Sequence, residues 1–163
     1  MNRTIRPFRF ISGAISGGFT VIELMVTVGI VVALIAVAGP YTFQYLQQRG
    51  ARNAADQLAM DLQRAKLLAI QRNSNCTLTI NAPAVNQYTI SLTGEVVDLR
   101  SYAGGVTFTN IPTPSVPSVT FNPQGVCTIS GSFFLTGQNQ LYRVRTTAAG
   151  GVSVKYFSGG KWI

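Results

Sequence analysis

Between Gly18 and Arg49 the chain carries a single charged residue, Glu23, and from Leu24 to Gln48 it carries none over 25 residues. A helix rises about 1.5 Å per residue and a bilayer core is about 30 Å thick, so the run is long enough to cross one. The apolar part ends near Gly39. Such a run has to be housed by a membrane or by other chains, and the rest of the fold must be arranged around that need. Glu23 is the oddity, because a carboxylate at the centre of a membrane helix costs roughly 2.5–3.5 kcal/mol on insertion scales. Arg3, Arg6 and Arg9 precede the run. Basic residues on that side stay cytoplasmic, which places the N-terminus inside and exports the C-terminal bulk.

Composition narrows the chemistry. The chain has 163 residues, no His and five acids, Glu23, Asp56, Asp61, Glu95 and Asp98. Nucleophilic triads and His-based metal sites lack their residues, and two cysteines alone do not complete a zinc site. Asp56 and Asp61 share a helix, but a spacing of five turns them about 140° apart and off a common face. The expectation is a protein without catalysis, cofactor, metal or small-molecule substrate. Of the formal +8, three charges precede Gly18; residues 41–163 hold 10 basic and 4 acidic side chains, 10 − 4 = +6.

The apolar run has two ordinary readings. One is a secretory signal peptide, with Ala36-Val37-Ala38 as its A-x-A site, releasing a soluble periplasmic binding module; the other is an uncleaved signal anchor. Neither accounts for Glu23 or for the glycine joint before Phe19. The stretch "GFTVIELMV" resembles the class III (prepilin) signal of type IV pilins and type II secretion pseudopilins. The resemblance rests on Gly18 before the cut, Phe19 as the new N-terminus, Glu23 as the fifth mature residue and Pro40 at mature position 22. It implies that a prepilin peptidase cleaves after Gly18 and N-methylates Phe19. The apolar segment is then kept as an inner-membrane anchor and later becomes the packed core of a filament. Glu23 would there meet the N-terminal amine of a neighbouring subunit. A buried charge is tolerable when paired, and one that pairs in a single register acts as a specificity device.

Helical periodicity continues beyond Pro40, where a bend is expected because proline removes an intrahelical hydrogen bond. Ala54, Leu58, Leu62, Ala65 and Ala69 form one apolar stripe. Asp61 and Arg64 fall on other faces as an ordinary exposed i,i+3 pair. Helix is expected from about Phe19 to Asn73. The stretch "AADQLAMDLQRAKLLAIQRNSNCTLTI", with "FNPQG" at 121–125 and a basic C-terminal strand, resembles the GspH/FimT group of minor pilins and pseudopilins. That implies a structural subunit that helps initiate or cap a filament beside other minor and major pilins. The sequence leaves a type IV pilus and a type II secretion system both open.

After Asn73 the period changes to two and Thr, Val, Ser and Gly dominate. Eight or nine short strands are expected, with Thr93-Gly94 as a tight turn and "IPTPSVP" as a stiff loop. The fold class is therefore α+β, a long N-terminal helix packed on an antiparallel β domain, either a sandwich or a bent sheet. The expected layout is a leader at 1–18, an apolar helix at 19–39, an amphipathic helix at 40–73 and an exported β domain at 74–163. Export implies an oxidising compartment, which favours a Cys76–Cys127 disulfide over two buried thiols. Some members of the FimT branch bind DNA through a basic C-terminal stretch. Arg143 and Arg145 share a strand face here, with Lys155 and Lys161 near in sequence. That branch's binding signature is a glycine followed by two arginines around one residue, and Tyr142 stands where the glycine would be, which weighs against DNA binding; the contact, if made, would be nonspecific and to the phosphate backbone.

Overall fold

The computed structural model describes residues 19–113 and 115–163. The leader and Gly18 lie outside the described residues. The remainder divides into two units, parted between Gly39 and Pro40, and each is described by itself. One helix, α1 (Val21–Gln71), contributes to both and continues through Pro40. Thr20 caps its start: the hydroxyl accepts the Glu23 N–H at 3.2 Å and the carbonyl accepts the Leu24 N–H at 3.1 Å. Its end closes as a Schellman turn. Ser74 N–H reaches the Ala69 carbonyl and Asn73 N–H that of Ile70, with Asn73 in the left-handed region at φ 47°.

Within residues 40–163, α1 docks on two antiparallel sheets. The first runs β3 (Val96–Asp98), β2 (Gln87–Ile90), β1 (Cys76–Ile80), β5 (Ser118–Phe121), β6 (Cys127–Ile129). The second runs β10 (Lys161–Trp162), β9 (Val152–Ser158), β8 (Gln140–Thr146), β7 (Ser132–Gly137), β4 (Thr107–Phe108). Strand alternation turns Cys76, Leu78 and Ile80 of β1, Tyr88 and Ile90 of β2, and Val119 and Phe121 of β5 inward. These meet Phe133, Leu135 and Val144 of the second sheet and the helix stripe in one core. Ala54, Leu58, Leu62, Ala65 and Ala69 are all fully buried, as their spacing requires. The alanines let the sheets approach the helix closely. Gly50 carries this furthest, since a Cβ there would lie 1.6 Å from the Ala103 carbonyl oxygen.

The α+β architecture follows the sequence expectation, and several details depart from it. Ten strands form among the described residues, one more than the upper expectation, because β10 is a two-residue pairing too short to register as periodic. Strand β3 ends at Asp98, whose carboxylate accepts the Arg100 N–H and caps a 3₁₀ turn, Leu99–Ser101. Asp61 is not an exposed partner of Arg64. It is buried at 4% exposure, accepting the Tyr88 hydroxyl at 2.5 Å and the Gln57 side-chain amide at 3.2 Å. Arg64 instead pairs with Glu95 at 2.6 Å. Tyr88 is itself fully buried, and burial first, then the Asp61 carboxylate, holds its hydroxyl far above the usual range.

The expected disulfide is absent, and strand order explains why. Phe121 of β5 pairs with Cys76 on one side and with Cys127 on the other. Two strand spacings separate the cysteine backbones by about 10 Å, beyond the roughly 7 Å that a disulfide can bridge. Both cysteines are buried free thiols. The Cys127 thiol donates to the Ile129 carbonyl at 2.9 Å, and burial pushes it above its ordinary value.

Candidate functional site

Three places carry the residues of interest. The first is the leading unit of α1. Every large apolar side chain from Val21 to Val37 is between 52% and 77% exposed. Burying a side chain of this class is worth about 1.5–3 kcal/mol, so this surface is strongly driven to find apolar cover. Glu23 sits at the third position of the helix, after the Thr20 cap. Thr20-Val21-Ile22-Glu23 has the spacing of a capping box, a signal that was legible in the sequence. There the carboxylate faces the positive end of the helix dipole. Phe19 is exposed, and its bond to Gly18 lies outside the described residues.

The second place is the outer face of the second sheet. Arg143 pairs across to Phe134 and to Lys155, and Arg145 to Ser132 and Ser153, so Arg143, Arg145 and Lys155 share that face. Lys161 pairs with Ser158 and falls on the opposite face, while its neighbour Trp162 joins the outer one. A Gly159-Gly160 turn, with φ of 57° and 81°, folds β10 back onto β9. Trp162 then contacts Phe157 at 5.2 Å and Phe134 at 5.7 Å, with the Arg143 guanidinium 4.6 Å from its ring centre. The sequence set of four cations thus resolves into three on one face. Among these, Arg143 is half-buried in an aromatic stack, and Arg145 and Lys155 are exposed.

The third place was not foreseen. A groove of about 570 Å³ runs between Arg52 and Asp56 of α1 and Tyr142, Val154 and Tyr156 of β8 and β9. It continues into a smaller cleft of about 160 Å³ lined by Tyr45, Gln48, Arg49, Arg52, Gln140 and Tyr142. Arg49 lies over the Tyr45 ring at 4.3 Å, and Arg52 reaches Asp56 at 3.7 Å. Burial raises the Tyr142 hydroxyl above its usual value. The cleft exists only where α1 lies against β8 and β9, and beside it Gln138 donates to Gln47 at 3.3 Å. Sequence order alone does not reveal it. No cluster of three or more metal-ligating side chains occurs among the described residues.

A helix whose leading half is apolar and uncovered, and whose trailing half anchors two antiparallel sheets, defines a pilin-like subunit. The sequence model of the type II transport protein GspH family matches residues 54–150. The chain belongs to that family, within the type IV pilin and pseudopilin superfamily. A crystal structure of the type IV minor pilin FimU of Pseudomonas aeruginosa shares the fold. Its TM-score is 0.53 at 14% identity, over 73% of this chain and 96% of that one. A second crystal form of FimU aligns at TM-score 0.46 and 16% identity, over 69% and 96% of the two chains. No curated protein matches the chain.

Proposed function

We propose that this chain is a minor pilin, a non-catalytic structural subunit that helps initiate or cap a type IV pilus. The observation that carries the reading is the uncovered apolar surface of residues 21–37, headed by Glu23. Made as a precursor, the chain is trimmed between Gly18 and Phe19, methylated on Phe19, and held in the inner membrane with its N-terminus inside. The β domain stands outside that membrane and selects neighbouring pilins. On entry to the filament the helix exchanges lipid for other helices, and Glu23 sets register against the next subunit's amine.

The family description, a type II transport protein, favours a second reading as a type II secretion pseudopilin. A deletion strain separates the two. Loss of pili with secretion of exported enzymes intact supports the pilus; lost secretion with pili intact supports the secretion system. A subsidiary reading is nonspecific DNA contact by Arg143, Arg145 and Lys155, whose shared face suits a phosphate backbone. It predicts that Arg145→Ala with Lys155→Ala flattens the salt dependence of a DNA mobility shift. Unchanged binding would retire those residues.

A further inference from the structure

Strand β9 pairs with β8 from Val152 to Tyr156 on one side, but its other side is covered only at the end. There Phe157 and Ser158 pair with Trp162 and Lys161 of β10, and Tyr156 exchanges both backbone bonds with Ile163. Backbone groups alternate sides along a strand. The N–H and C=O of Val152 and Val154 therefore point the same way as those of Tyr156, away from β8. Among the described residues no backbone group pairs with them there. Proline and bulges are the usual means of blunting such an edge, and an unblunted one is a template for another strand. The register from Val152 to Tyr156 is unbroken and holds no proline.

The side chains around this edge are open in a matching way. Val144 and Tyr142 of β8 are buried, yet their partners on β9 are less covered: Val154 is half-buried and Tyr156 is 45% exposed. The groove of about 570 Å³ beside α1 runs along both, within the roughly 300–1,000 Å³ of pockets that take up ligand groups. On the opposite face Lys155 and Arg145 are exposed, and neither enters an ion pair among the described residues. Asp56, the carboxylate in the groove, is held by Arg52.

We infer that the Val152–Val154 edge takes up an extended segment of a neighbouring subunit as a further strand of the second sheet. That segment is apolar where its side chains turn toward the groove and acidic where they pass Lys155 and Arg145. The inference rests on the reading of the β domain as the part that selects neighbouring pilins, and it names what the selected partner presents. Main-chain hydrogen bonds supply the affinity of such an added strand, and its alternate side chains supply the choice.

The test titrates the full mature chain, beginning at Phe19 and held in detergent micelles, with a labelled peptide alternating valine and glutamate. Hydrogen exchange locates the contact. The peptide should bind and slow exchange of the Val152 and Val154 amides. The same peptide with N-methylated backbone should not bind, and one with lysine for glutamate should bind more weakly. Lys155→Glu should weaken binding about two- to thirtyfold, as a cross-strand pair turns from attractive to repulsive. Val154→Pro, which removes an outward N–H and spares the ladder to β8, should weaken it about two- to tenfold. Arg72→Gln, beside the first sheet, should leave it unchanged. Thermal unfolding of each variant checks that the β domain is intact. Equal binding of the N-methylated or the lysine peptide, or protection away from Val152 and Val154, overturns the inference. Protection of the same amides by self-association, without peptide, overturns it in favour of a second copy. Wild-type entry of a folded Val154→Pro chain into filaments overturns it and leaves the assembly reading standing. A wild-type chain absent from filaments refutes that reading and the inference with it.

Discussion

Glu23→Gln separates two roles for one residue, support of the helix cap and the proposed pairing with a neighbouring subunit's amine. At the third helical position after Thr20, a glutamate or a glutamine serves a capping box equally well. The cap is worth about 1 kcal/mol, and the carboxylate's interaction with the helix dipole adds about 0.3–1 kcal/mol. The cap survives the substitution, and locally only the small dipole contribution is lost. Pairing with a neighbour's amine does not survive. Removing one partner of a buried pair costs about 3–5 kcal/mol, because the other charge is left without compensation. At 1.4 kcal/mol per factor of ten, that lowers incorporation into a filament by roughly two to three and a half orders of magnitude. The assay follows cleavage, membrane fraction and sheared-filament fraction of the variant expressed beside the other subunits. The variant should be cleaved and membrane-bound as in the wild type and nearly missing from filaments. Thr20→Ala, which loses the cap and keeps the charge, should still enter them. Wild-type incorporation of Glu23→Gln would refute the charge-pair argument and leave capping as the residue's role.

Two further predictions concern the β domain. Tyr88→Phe strands the Asp61 carboxylate with only the Gln57 amide and should destabilise the domain by about 2–3 kcal/mol in denaturant unfolding. Because burial holds Tyr88 protonated when folded, stability should be fully present below its unfolded value near 10 and fall as pH rises past it. The slope from this residue is about 1.4 kcal/mol per pH unit, and it should vanish in Tyr88→Phe; an unchanged slope would contradict the buried hydroxyl. Reduction should leave the intact mass unchanged, and Cys76 and Cys127 should take up a maleimide only after unfolding. A gain of two hydrogens on reduction would contradict the strand order β1-β5-β6.

Much of the fold was legible because it is written in period. The alanine–leucine stripe and the switch to alternation after Asn73 each reflect which side chains must leave water, and the structure buries both sets; the uncharged run forms the leading part of α1, with its apolar side chains exposed. What was not legible depends on partners distant in sequence. Asp61 looked like a surface acid beside Arg64, since nothing local shows that a tyrosine 27 residues away will cover it. Compartment chemistry favoured a disulfide, yet the β5 strand that separates the two cysteines is fixed only by sheet order. Arg143 and Arg145 share a face as their spacing requires. Lys161 escapes it because the Gly159-Gly160 turn sets a register that spacing along the chain does not carry. The Thr20–Glu23 cap was readable and was masked by the more conspicuous problem of a charge in an apolar run.

The central claim is that residues 19–39 are kept and built into a filament. Intact mass and N-terminal sequence of the chain recovered from sheared filaments test it directly. The account predicts a chain beginning at N-methylated Phe19, present in the filament and inner-membrane fractions. A soluble periplasmic chain beginning at Gly39, after the Ala36-Val37-Ala38 site, would contradict it.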